Sequence, residues 1–137
     1  MRRLALTTCF VEISPMDPYP ELITALPAID VPFPGVRGWL SQGPDHQVVF
    51  FDIDAIGEVS PHSHGEQWGV VLEGEMELTV GGETRRHGPG ASYHIPAGAV
   101  HSARFLSRVR AIDVFADRQR YGSRPSSSTL PNRSERR

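Results

Sequence analysis

A chain of 137 residues, 39% hydrophobic and 22% charged, is long enough for one core and too short for two. Its single cysteine excludes an internal disulfide framework, and its fourteen basic residues are all arginine, which excludes Schiff-base chemistry, a lysine-bound pyridoxal cofactor and a P-loop lysine. The formal charge of −2 is unevenly shared: residues 117–137 hold six arginines against Asp117 and Glu135, a balance of +4, which leaves −6 on residues 1–116 and argues against a nucleic-acid-binding body.

The opening segment MRRLALTTCF starts basic, but its apolar stretch is too short and too rich in threonine for the core of a signal peptide. No apolar run reaches the length of a membrane helix. A soluble cytoplasmic protein is expected, in keeping with the lone cysteine. Residues 1–34 include SPMDPYPELITALPAIDVPFPG, whose prolines interrupt any long element. Pro20 to Leu26 suits one or two helical turns, with Pro20 near the first helical position. This region is expected to be an N-terminal arm packing on a core.

Residues 35–116 read as strand, turn, strand throughout. Gln47 to Ile53 is β-branched and aromatic, Gln67 to Leu72 is a second such run, and Glu75 to Val80 a third. Met76 to Val80 alternates cleanly between apolar and polar. Gly81-Gly82 signals a two-residue hairpin that returns Glu83 to Arg86 antiparallel. Gly88-Pro89-Gly90 turns into Ser92 to Ile95, Pro96-Ala97-Gly98 turns into Val100 to Phe105, and Arg108 to Phe115 closes the series. About eight short strands with turn residues between them and no long helix predict an antiparallel sandwich or barrel. The tail, residues 117–137, is rich in serine, proline and arginine and is expected to be disordered.

The stretch PHSHGEQWG, residues 61–69, carries the chemistry. Side chains two apart on a strand share a face, so His62 and His64 are expected to point the same way. Two imidazoles on one face offer adjacent positions to a divalent transition metal. Alone the pair is weak, since surface histidines near turns are common. His101, just past the turn Pro96-Ala97-Gly98, is the third candidate that raises it.

Here the sequence resembles the cupin family. The stretch GASYHIPAGAVH fits the family's second motif from Gly90 through Pro96 and Gly98 to His101, and His62, His64 and Gly74 fit the first. The resemblance spans roughly residues 46–116. It implies an all-β, double-stranded β-helix (jelly-roll) barrel over residues 35–116, with one divalent metal held inside by the three histidines and usually a carboxylate. The departures are specific. The glutamate position of the first motif is Gln67, the gap after His64 is short, and Gly57 is one residue nearer His62 than is common. The asparagine that closes the second motif falls on Phe105, and the aspartate often found after its glycine is Ala91.

Strand parity puts Gln67, Gly69 and Val71 on one face and Trp68, Val70 and Leu72 on the other. Gln67 lies in the family's ligand register, so it is taken ahead of Glu66 as the fourth ligand, through its carbonyl oxygen. Glu66 then points outward or caps the turn, unless the short gap shifts the register. Three imidazoles and an amide leave a bound ion its full charge, which strengthens it as a Lewis acid. A neutral shell also favours trivalent iron less. This argues against an iron-dependent dioxygenase and for isomerase-like or lyase-like steps on a carbohydrate or carboxylic acid. Nickel, zinc, manganese or iron(II) suits such a set. Similar cupins with a glutamine ligand include some that promote ring-opening of uronate sugars.

The remaining candidates each have a plain structural reading. Tyr93 is a candidate general acid or a packing aromatic, and Glu66 is the other catalytic candidate. His94 is expected at the surface, with His46 and His87 beside turns. Arg85, Arg86 and Arg104 suit either a substrate carboxylate or a charged outer strand face. The apolar stripe Trp68, Val70, Leu72 needs cover from the N-terminal arm or from a second subunit, and the resemblance implies a homodimer. A non-catalytic module binding a metal or small molecule is the alternative to an enzyme. An acid–base group beside the metal would favour the enzyme, and a wholly apolar pocket the module.

Overall fold

The computed structural model describes residues 19–124. Nine strands run in chain order: β1 (Val36–Gln42), β2 (Gln47–Ile53), β3 (Gly57–His62), β4 (Gln67–Glu73), β5 (Met76–Val80), β6 (Glu83–His87), β7 (Ser92–Ile95), β8 (His101–Phe105) and β9 (Val109–Phe115). They form two antiparallel sheets, one in the order β1-β2-β9-β4-β7 and the other β3-β8-β5-β6. The architecture is the all-β jelly-roll expected. One short helix, α1 (Glu21–Thr24), follows Pro20. Among the described residues no helix is long and apolar enough to cross a membrane.

Alternation decides which face each strand buries. In β9, Val109, Ala111, Asp113 and Phe115 are buried while the residues between them are half-exposed. In β4, Gly69 and Val71 are buried and Trp68 and Leu72 exposed, which is the predicted parity. Between the sheets lie two apolar clusters, one around Val49, Phe51 and Phe115 and the other around Val71, Met76 and Ile95. Phe105 packs against both. Each large apolar side chain removed from water there contributes about 1.5–3 kcal/mol. The Gly81-Gly82 hairpin is confirmed, with φ of 56° and 85°, values that side chains resist.

The chain ahead of β1 wraps the sheet. The Tyr19 ring sits edge-on to Trp39 and Phe50 on the outer face of the five-stranded sheet, and its hydroxyl donates to the Phe51 carbonyl at 2.9 Å. Residues 27–29 then run along the β1 edge, where Ile29 N–H donates to Gly38 O at 2.9 Å and Leu40 N–H to Pro27 O at 2.8 Å. This covers an edge that would otherwise present unpaired main chain.

The predicted start of a disordered tail at residue 117 needs correction. Residues 118–124 are docked, because main-chain and side-chain partners distant in sequence hold them. The buried Gln47 side chain donates to Tyr121 O at 2.9 Å and accepts from Tyr121 N–H at 3.0 Å, while Gln42 donates to Arg118 O at 2.9 Å. Asp30 N–H donates to Gly122 O and Arg124 N–H to Ala28 O, each at 2.8 Å, so this segment and residues 28–31 clasp each other at one end of the barrel. The expectations for residues 1–18 and 125–137 lie outside the described residues.

Candidate metal centre

Two loops and a strand pairing bring the histidines together. His62 ends β3 directly opposite His101, the first residue of β8. His64 lies beyond the end of β3, in the turn before β4, rather than on the strand as expected. That turn is pinned from two sides: Gly65 N–H donates to Asp117 Oδ2 at 2.7 Å, and Gly98 N–H donates to His64 O at 2.8 Å. The second contact ties the loop carrying His64 to the turn that delivers His101. One donor nitrogen from each of His62, His64 and His101 lies within 4.8 Å of the others. Their ring centroids are 4.3, 4.6 and 5.4 Å apart.

The donor chemistry fits a metal ion. Each ring places Nδ1 on a main-chain carbonyl: His62 on Ser60 at 2.9 Å, His64 on Gly65 at 2.8 Å and His101 on Ala99 at 2.9 Å. A carbonyl only accepts, so each Nδ1 carries the proton and each Nε2 is left with a free lone pair. This fixing of tautomer and ring orientation is what ligating histidines require. Burial lowers the pKa of His64 and His101, outweighing the carbonyl bonds that act the other way, and favours the neutral form. The three histidines can hold a metal ion.

They line a cavity of about 280 Å³ between the sheets. Gln67, Tyr93 and Asp113 share that cavity, and most of the remaining wall is apolar. Gln67 donates from its amide nitrogen to Asp113 Oδ1 at 2.8 Å, and Tyr93 donates its hydroxyl to the same oxygen at 2.6 Å. Gly69 makes this possible. It stands between Tyr93 and Asp113 in the cross-strand register, and a side-chain carbon there would collide with both. Burial pushes the Asp113 carboxyl up to about 6, against the opposing pull of the Tyr93 and Gln67 hydrogen bonds. The Tyr93 hydroxyl is raised well above its ordinary value, by burial and then by Asp113. It is therefore a hydrogen-bond donor near neutral pH.

The other sequence candidates fall elsewhere. Glu66 is exposed on the outer side, paired with His94 at 2.7 Å, and does not line the cavity. Its catalytic role is set aside for that reason: the short turn sends its side chain away from the histidines. Arg85 pairs with Glu83 and Arg86 with Glu75 at the surface, and neither they nor Arg104 line the cavity.

Asp113 and Arg120 were missed. Asp113 had a legible signal, an acid in the inward register of Val109-Arg110-Ala111-Ile112-Asp113-Val114-Phe115. Arg120 had none, since its surroundings in sequence look like tail. It lines the cavity with its guanidinium 4.7 Å from the Tyr121 ring centroid. Its buried Nε has no hydrogen-bond partner among the described residues.

Comparison with known proteins agrees with this fold. Residues 49–115 match the sequence profile of the Cupin domain. The chain is similar to the structure of KdgF from Halomonas sp., at 30% identity and a TM-score of 0.58, covering 64% of this chain and 83% of that one. An RmlC-like cupin from Shewanella frigidimarina is 25% identical with a TM-score of 0.59, covering 65% and 82% of the two chains. Salicylate 1,2-dioxygenase from Pseudoaminobacter salicylatoxidans, at 17% identity, TM-score 0.57 and coverage of 63% and 26%, shares the fold alone. A search of curated proteins found no match.

Proposed function

The chain belongs to the cupin superfamily, and from that premise we propose that it is a divalent-metal enzyme of isomerase or lyase type acting on a small carboxylate-bearing substrate such as a sugar acid. The observation that carries this reading is a buried carboxylate, Asp113 on the five-stranded sheet, lining the same cavity as three histidines arranged as ligands. An ionisable acid that burial raises toward neutrality, lining the same cavity as a set of metal donors, is suited to proton transfer.

His62, His64 and His101 hold the ion, and Gln67 completes the set. Its amide nitrogen is committed to Asp113, which leaves Oε1 without a hydrogen bond among the described residues and available as the fourth donor. A bound ion of this kind supplies a Lewis acid that polarises a carbonyl or hydroxyl oxygen of the substrate. Asp113 moves the proton. Its Oδ1 accepts from both Tyr93 and Gln67, so Oδ2 is the oxygen left to take a proton from substrate and return it. Tyr93 holds the carboxylate in place. Arg120 at the clasped end of the barrel receives the substrate carboxylate, since a guanidinium pairs with one in bidentate geometry.

Two tests follow from these assignments. Gln67→Ala is expected to weaken metal retention against a chelator by about 10–100-fold, while Glu66→Ala leaves it unchanged; the reverse order would move the fourth ligand to Glu66. For the activity, metal-loaded protein is screened by NMR against sugar acids and their neutral alcohol analogues. Arg120→Gln should raise KM for the acids by about tenfold or more, at the 1.5–3 kcal/mol of a charge-assisted hydrogen bond, without affecting the neutral analogues. Binding by calorimetry with no conversion of any acid would instead make the protein a non-catalytic binding module, a reading that the largely apolar remainder of the wall favours.

A further inference from the structure

Where the main-chain ladder between β4 and β9 runs out, a side chain continues it. The last cross-strand pair is Gln67 with Phe115. One residue further, Ala116 N–H donates to Glu66 O at 2.9 Å. At the next position the Asp117 carboxylate accepts from Gly65 N–H at 2.7 Å. Gly65 is what admits the carboxylate so close, since a side-chain carbon there would collide with it. The peptide joining His64 to Gly65 is thus held at both ends, its N–H by Asp117 and its carbonyl by Gly98 N–H at 2.8 Å. The next carbonyl, Gly65 O, accepts from His64 Nδ1 at 2.8 Å. If Gly65 turns, the carbonyl that orients the imidazole turns with it.

The same residue starts the docked segment. Gln42 holds Arg118 O at 2.9 Å, and Gln47 holds both main-chain groups of Tyr121. Arg120 lies between these two captured points and lines the cavity. Three residues span at most about 11 Å, so a short, pinned stretch joins the anchor of His64 to Arg120. Resting on the reading of His62, His64 and His101 as metal ligands and of Arg120 as the carboxylate receptor, we propose that Asp117 is a positioning residue shared by both. Its bond to Gly65 fixes the turn that presents His64 to the metal ion. It also fixes the start of the segment that presents Arg120. An acceptor that carries charge makes one of the stronger hydrogen bonds in a protein. A bond that sets two elements against each other supports each of them, so its removal loosens both.

Asp117→Ala is expected to weaken metal retention against a chelator by about 10–100-fold, the range for a partner that orients a ligand. Asp117→Asn keeps a side-chain oxygen that accepts from Gly65 and should stay near the unaltered protein. Gly65→Ala pushes the carboxylate aside without removing it and should match Asp117→Ala, which gives an independent variant if the first folds poorly. Two further readouts use cobalt(II) in saturating excess, so that loss of metal is not what is measured. The visible absorption of bound cobalt should shift in Asp117→Ala and return in Asp117→Asn. Hydrogen exchange at the Tyr121 amide, which donates to Gln47 Oε1, should quicken by about tenfold in Asp117→Ala and stay unchanged in Gln67→Ala. Full metal retention in both Asp117→Ala and Gly65→Ala, or equal loss in Asp117→Asn, would overturn the role at His64. Unchanged exchange at Tyr121 in Asp117→Ala would overturn the link to Arg120. If the unaltered protein binds no cobalt, the metal centre itself fails, and exchange at Tyr121 still decides whether Asp117 anchors the segment.

Discussion

Purified full-length protein is expected to carry about one divalent metal ion per chain, and the His62→Ala/His101→Ala variant to carry essentially none. The two residues are cross-strand partners, so the double substitution removes facing donors from β3 and β8 and leaves only His64 in its turn. Loss of outer-shell partners alone costs roughly 10–100-fold in affinity, and loss of two direct donors should exceed that. The apolar clusters between the sheets do not include these histidines, so the variant should still fold. Elemental analysis beside circular dichroism separates the two effects. Undiminished metal content in a folded variant would remove the metal centre, and the enzyme assignment with it.

Asp113→Asn is expected to retain the metal and lose turnover. The asparagine oxygen can still accept from Tyr93 or Gln67, so the cavity wall keeps its shape, but the side chain can no longer take a proton. General acid–base catalysis contributes roughly 10²–10⁴-fold, and kcat on the carboxylate substrate identified by screening should fall by that factor. Metal content and melting temperature should stay close to those of the unaltered protein, because the variant is isosteric and uncharged. A variant with full kcat would show that Asp113 is structural. Loss of metal together with activity would show that it acts only by orienting Gln67. Tyr93→Phe gives the contrast: it removes the hydroxyl that holds Asp113 and should reduce kcat less than Asp113→Asn does.

Much of this architecture could be read from local features. β2 and β7 coincide with their predicted spans, and β4, β5, β6, β8 and β9 differ by a residue at an end, because β-branched residues and two-residue alternation are local properties. β1 was not picked out individually. Its Val-Arg-Gly-Trp-Leu-Ser-Gln lacks a clean alternation, and it is held by pairing with β2 along its whole length. Residues 118–124 read as tail for a similar reason. Their polar composition carries no sign that Gln42 and Gln47 will capture their main chain.

The sequence by itself determined the spans of most strands, the inward face of β4, the turn glycines and which three histidines form the candidate metal centre. The strand spans, the face of β4 and the turns depend on residues within a few positions of one another, where spacing sets which way a side chain points, and His101 was singled out by its place after the Pro96-Ala97-Gly98 turn and by the cupin resemblance. Only the tertiary structure decided which acid serves the cavity. Glu66 is next to the histidines in sequence, but its turn directs it out to His94, whereas Asp113 arrives from a strand almost fifty residues away and meets Tyr93 across the gap left by Gly69. Arg120 likewise reaches the cavity only because its segment is docked. These groups converge through long-range strand pairing and docking, and no local pattern records where two distant segments will meet.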